Sequence, residues 1–225
     1  MDTIVAAGAL ALVALSVTTH EAAHGFVANR LGDPTARDQG RLTLNPIAHI
    51  DLFMTILLPG FLLFSGSPVI FGGAKPVPVN LARLRNPRRD WALVGVAGPA
   101  SNLLIATGLS LVLSVLRHTG AIGPTSAATE ILAIAIFVNV LLVVFNLIPI
   151  PPLDGSRVVQ YFLSDAQLIA YRRIERVGMF VILGLLFFVP GFSRLVADGV
   201  FACASLFGFV FGIGGELGSV LGGAS

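Results

Sequence analysis

Residues 3–25 read TIVAAGALALVALSVTTHEAAHG, an apolar run that closes on two histidines and a glutamate. A transmembrane helix takes about 20 apolar residues at about 1.5 Å of rise each, and Thr3–Val27 meets that length. On a helix, the H-E-x-x-H spacing puts His20 and His24 one turn apart on one face. Both imidazoles can then reach a single zinc ion, with Glu21 beside it. Histidines snorkelling at a membrane interface are the blander reading. Against it, ionisable groups at this depth are costly and serve function, and His20, Glu21 and His24 crowd into little more than one turn. Only Met1 and Asp2 precede the run, without a basic n-region, and cleavage would cut into the cluster. The span is therefore expected to be retained rather than removed as a signal peptide.

The rest of the chain sets this helix among others. Of 225 residues, 55% are hydrophobic and 12% charged, with a mean hydropathy of +0.89. That composition excludes an ordinary soluble domain and predicts an all-α polytopic membrane protein of about five to six transmembrane helices. Beyond the first, candidate spans are Trp91–Leu116, Ile131–Ile150, Val177–Val189 with its flanks, and Leu195–Gly212, with a shorter sixth at Leu52–Phe64. The lone Cys203 excludes an intrachain disulfide and a thiolate cluster, so a metal site must be built from His, Asp and Glu. With a net charge of +2 and no basic run interleaved with aromatics, nucleic acid is not an expected partner.

Basic residues report topology. Of the 14 Lys and Arg, all but Arg117 and Arg194 fall in three connections: Arg30, Arg37 and Arg41; Lys75, Arg83, Arg85, Arg88 and Arg89; and Arg157, Arg172, Arg173 and Arg176. Positive charge collects in cytoplasmic loops, which puts the N-terminus outside and the H-E-x-x-H toward the cytoplasmic end of its helix. Because the loops on both sides of Leu52–Val79 share a face, that stretch must enter and return as a re-entrant hairpin or as a short helix with a return segment. If the source is bacterial, the membrane is the inner one.

A catalytic zinc takes three protein ligands and leaves a position for water. A metzincin would need histidine at position 30, which is Arg30. Glu130, Glu175 and Glu216 sit at span boundaries or in the tail, and Asp198 lies near Arg194. Asp154, in NLIPIPPLDG (Asn146–Gly155), emerges on the same side as the histidines and is the expected third ligand. Pro149, Pro151 and Pro152 cannot continue a helix, so the backbone unwinds there, which membranes tolerate only where it is buried in protein or lines a wet cavity. Asn146 is placed to satisfy freed backbone groups or a substrate carbonyl.

Three motifs in order, HEAAH (His20–His24), GPASN (Gly98–Asn102) and Asn146–Gly155, together resemble the site-2 protease family of intramembrane zinc metalloproteases. The likeness extends through Leu31–Arg37, Leu44–Asp51 and Gly73–Asn80, roughly the first 160 residues. It implies one zinc per chain held by His20, His24 and Asp154, Glu21 as general base and acid, and Asn102 and Asn146 as groups that bind or orient the substrate or transition state. The implied partners are the bilayer and a membrane-protein substrate whose transmembrane segment can unwind. No inserted PDZ or CBS-like domain is evident, as in the compact branch of the family. Residues 1–225 are expected to form one metalloprotease domain, with 1–160 as catalytic core and 161–225 as C-terminal helices that could gate it or pack against a second subunit. A membrane metal transporter using the same His and Asp groups is the alternative.

One further stretch, Pro68–Asn80, alternates like a strand, with Pro76 and Pro78 suited to an edge. A substrate must be unwound to be cut, and Gly73, Ala74, Lys75, Val77 and Val79 could hold its extended form by strand addition. A polar loop lying on the membrane is the equal alternative. His49 is expected in a loop or supporting the site rather than on the metal.

Overall fold

The computed structural model describes residues 2–57, 60–61, 64–65 and 72–222. The turn of the expected re-entrant hairpin and the first residues of the Pro68–Asn80 stretch lie outside the described residues.

Helix α1 runs Thr3–Arg30, its first turn capped by Asp2, whose carboxylate accepts the Ile4 N–H. After a short α2 (Thr35–Asp38), a 3-10 turn at Pro46–His49, a π-helical turn at Leu52–Leu57 and a 3-10 turn at Leu81–Arg83, helix α3 spans Pro87–His118. Pro87 occupies its first turn, where a missing N–H costs nothing. The Asp90 carboxylate reaches back to accept the Asn86 N–H at 2.8 Å. Helix α4, Ala127–Asn146, starts on Ser126, whose hydroxyl accepts the Thr129 N–H, and stops at the proline-rich turn.

Beyond the turn come α5 (Gly155–Phe162), α6 (Asp165–Ile174), α7 (Gly178–Phe188), α8 (Pro190–Phe211) and α9 (Gly214–Gly222). Four helices, α1, α3, α4 and α8, are long and apolar enough to cross a membrane, and α7 is a shorter apolar helix. The protein is all-helical and polytopic among the described residues. At 11 residues α7 is about 16 Å long, short of the expected Val177–Val189 span, because Arg172–Arg176 ends one side and Pro190 opens α8 on the other.

Helices α1, α3 and α4 pack on one another, α5 covers α3, and α8 and α9 close the far side of α4. Away from the histidines the contacts are apolar: Leu113, Ala133, Ile136, Ile213 and Leu217 form one cluster, and Ala106, Val140, Val200 and Ala204 another. Leu10, Leu104, Phe188 and Phe209 point outward and stay exposed, as lipid-facing side chains do. Polar groups are instead buried along the α1, α3 and α4 contact, where Ser16, Thr18, His20, His24, Asn102 and Asn139 all lie inside.

Candidate active site

His20 and His24 share the face of α1 that meets α3. His20 Nε2 lies 3.0 Å from Asp154 Oδ2, His24 Nε2 lies 3.2 Å from the same oxygen, and the two Nε2 atoms are 3.1 Å apart. Ligands at tetrahedral corners about 2.0–2.1 Å from zinc are about 3.3 Å apart, so this N, N, O triangle fits one zinc ion. Each of the three residues is at most 6% exposed.

Space beside the donors is kept by Gly98. A Cβ built there would stand 2.5 Å from Nε2 of both His20 and His24, so even alanine would fill the gap. The sequence shows Gly98 as a small residue suited to helix packing. Its packing partners are the two imidazoles.

The second nitrogen of each imidazole is held from α3. His24 Nδ1 donates to the Val94 carbonyl at 2.6 Å, and His20 Nδ1 donates to Asn102 Oδ1 at 2.5 Å. Both acceptors are carbonyl oxygens, so each ring carries its hydrogen on Nδ1 and turns the Nε2 lone pair toward Asp154. Such partners fix ring orientation and raise the basicity of a ligating histidine.

Asp154 reaches the histidines because the chain is broken before it. Between Asn146 and Gly155 the helix gives way to tight turns, with Ile148 N–H bonded to Phe145 O and Leu153 N–H to Ile150 O, while Tyr171 Oη donates to Pro149 O at 2.8 Å. Asp154 then stands at the N-cap of α5, where an aspartate ordinarily accepts a helix N–H, yet its side chain caps nothing. Oδ2 meets the histidines, and Oδ1 lies 3.3 Å from Arg157, whose guanidinium stacks over the Trp91 ring at 4.5 Å.

Glu21 is half-buried beside the pair, and its ligand atom falls with those of His20 and His24 inside a 4.8 Å cluster. Its Oε2 accepts the Val77 N–H at 2.9 Å. The described part of the expected strand edge therefore touches the site. It pairs in no ladder: Gly73 O accepts from the Thr55 hydroxyl, Lys75 N–H donates to His49 O, and Lys75 O accepts from Arg41. Asp33, fully buried, anchors its end by accepting the Asn80 N–H at 2.5 Å.

Other expected residues stand apart from the donors. Asn146 turns its amide back to Leu142 O at 3.0 Å within α4. His49 is buried, with Nε2 donating to Thr43 O at 3.0 Å, and it braces the loop. Asn102 is fully buried, one end of its amide on His20 and the other donating to Asn139 Oδ1 at 2.8 Å. Asn139, Asp33 and Arg157 were not singled out by the motifs. For Asn139 the available signal was an amide inside the apolar run of α4.

A buried His, His, Asp triangle with a glutamate beside it, set among membrane-length helices, fits a membrane metallopeptidase. The sequence model of peptidase family M50 matches residues 117–189, the part that contains Asn146–Gly155. Two bacterial relatives cover more of the chain. "Putative zinc metalloprotease YwhC" of Bacillus subtilis is 41% identical over 180 residues, 78% of each chain. "Putative zinc metalloprotease Rip2" of Mycolicibacterium smegmatis is 31% identical over 208 residues, 90% of this chain and 76% of its own. No solved structure matches. The chain belongs to peptidase family M50, the site-2 protease family. It is a zinc metallopeptidase, with zinc as its cofactor, a membrane as its environment and proteins as its substrates.

Proposed function

We propose that this protein is an intramembrane endopeptidase that cleaves membrane-protein substrates within or near their transmembrane segments. The observation that carries this reading is the depth and closeness of the donor triangle. His20 lies ten residues inside the Arg30 end of α1, about 15 Å at 1.5 Å per residue, and so within the hydrocarbon thickness. The basic loops on that side of the helix support an opening of the site toward the cytoplasm, in the inner membrane if the source is bacterial.

His20, His24 and Asp154 would hold the zinc, one per chain. Bound there, zinc supplies Lewis acidity, lowering the pKa of a water and polarising a scissile carbonyl. Asn102 and the Val94 carbonyl keep both imidazoles turned to present Nε2. Arg157 neutralises the side of Asp154 that faces away from the histidines. Glu21 takes a proton from the attacking water and returns it to the leaving amine. Its bond from Val77 N–H orients one carboxylate oxygen and ties the base to the 72–80 segment, along which an unwound substrate would lie. Residues 1–160 would form the catalytic core of one domain, with the C-terminal helices, which carry none of these groups, as its gate.

The test is metal analysis and cleavage of a single-span model substrate by the wild type and Glu21→Gln, reconstituted side by side. Glu21→Gln should retain zinc and lose cleavage by a factor of at least about 100, the usual scale of a lost general base. Equal cleavage by both proteins would contradict the mechanism.

A further inference from the structure

Behind the metal donors runs a chain of buried amides and hydroxyls that crosses three helices. Ser16 and His20 are on α1, Asn102 is on α3 and Asn139 is on α4, none more than 6% exposed. Four hydrogen bonds lead from the histidine outward: His20 Nδ1 to Asn102 Oδ1 at 2.5 Å, Asn102 Nδ2 to Asn139 Oδ1 at 2.8 Å, and Asn139 Nδ2 to both Ser16 Oγ at 2.9 Å and Ala135 O at 2.8 Å. The Ser16 hydroxyl donates in turn to Leu12 O at 2.8 Å.

Two of these partners are backbone carbonyls and can only accept, which gives the whole chain one direction. Facing Ala135 O, Asn139 must present its NH2. The single hydrogen of Ser16 is taken by Leu12 O, so Ser16 can only accept from Asn139, and it calls for the same NH2 group. Asn139 Oδ1 is then left facing Asn102, which must answer with its own NH2. Asn102 Oδ1 is thereby turned to His20, whose Nδ1 must carry the hydrogen. Nε2 is left with its lone pair pointing into the donor triangle. His24 needs no such chain, because a backbone carbonyl, Val94 O, meets it directly. An asparagine amide has two ends of nearly equal size, an accepting oxygen and a donating NH2, and without a fixed neighbour either can face the ring.

We propose that Asn139 is a positioning residue for the metal site: anchored by Ala135 O and Ser16, it holds the Asn102 amide in the one orientation that makes His20 a zinc ligand through Nε2. The inference rests on zinc being held by His20. It adds a residue more than 100 positions along the chain from either motif histidine, on a different helix, whose side chain bonds to Asn102, Ser16 and Ala135 and to no metal donor.

Two readouts test it on the full-length, zinc-loaded protein in detergent: zinc affinity by competition with a chromophoric chelator, and long-range proton–nitrogen correlation spectra of 15N-histidine-labelled protein. In the wild type, His20 should show its hydrogen on Nδ1. In Asn139→Leu, zinc affinity should fall about 10–100-fold, the range found when partners behind a ligating histidine are lost, and the His20 signals should split or broaden as Asn102 samples both orientations. Ser110→Ala, at a buried α3 hydroxyl that has no hydrogen-bond partner, should leave both readouts unchanged. A wild-type His20 protonated on Nε2 overturns the proposal whether or not the leucine variant folds. So does a folded Asn139→Leu protein with wild-type affinity and spectra. His20→Ala separates the two levels: if it loses zinc while Asn139→Leu does not, only the relay fails, and if it keeps zinc, the assignment of the site fails and the relay with it.

Discussion

The packing around α3 and α4 is built in two ways at two depths, against α1 near the histidines and against α9 at the far end. At the depth of His20 it is polar, with Gly98 against the imidazoles and hydrogen bonds through Asn102, Asn139, Val94 and Asp154. Toward the His118 end of α3, Leu113 packs with Ala133, Ile136, Ile213 and Leu217, and no geometry is demanded beyond close packing. The first region sets angles, while the second holds the helices at a fixed distance so that those angles persist. Lipid gives little hydrophobic drive for helices to associate, so the apolar end works through packing and the polar end through hydrogen bonds. Damage to one should therefore be separable from damage to the other.

The largest separation is expected at Gly98. Gly98→Ala places a methyl 2.5 Å from both Nε2 atoms, which must shift, and should lower zinc affinity by about 100-fold, measured by chelator competition, with an overpacking cost of about 1–3 kcal/mol in unfolding of the metal-free protein. At the opposite end, Leu113→Ala should act on stability alone. It should cost about 2 kcal/mol in detergent unfolding, the packing share of a leucine truncation, with zinc affinity unchanged. Intermediate in size is Arg157→Gln, which leaves Asp154 Oδ1 without its cation. Zinc affinity should fall about 10-fold, less than for loss of a ligand.

The smallest effect belongs to the Arg117–Glu216 pair at the apolar end, 2.7 Å apart. Burial works to raise the Glu216 pKa, but the hydrogen bond and charge of Arg117 outweigh it and hold the carboxyl below its ordinary value. A depressed pKa contributes stability that is present above the unfolded value, near 4.5, and is lost as pH falls through the folded one. Glu216→Gln should remove that acid dependence, cost no more than about 1 kcal/mol at neutral pH, and leave cleavage intact.

Much of the polar region was readable in advance, for local reasons. H-E-x-x-H declares its geometry because helical spacing alone brings His20 and His24 together, and the prolines before Asp154 announce a broken helix. The long spans were equally plain from length and hydropathy. Other features depend on who faces whom across the bundle. Val94 acts through its backbone carbonyl, which no side chain advertises. Gly98 reads as a packing residue until its neighbours prove to be imidazoles. Asn139 looks like any amide in an apolar span until its partners on α1 and α3 are known. Val77 meets Glu21 through a main-chain N–H, so even the strand-like pattern of that segment could not foretell the contact. Asp33 belongs to the LGDPTAR stretch, but its tie to Asn80 joins residues far apart in sequence.

The ligand set at the centre of the polar region is open to one direct measurement. Zinc K-edge X-ray absorption on the purified wild type and on Asp154→Ala should show two imidazole nitrogens in both proteins, and a carboxylate oxygen from the chain in the wild type alone. Zinc content should drop well below one per chain in the variant. An unchanged absorption spectrum and full zinc occupancy in Asp154→Ala would contradict the joining of α1 to the proline-broken end of α4 in a single metal site.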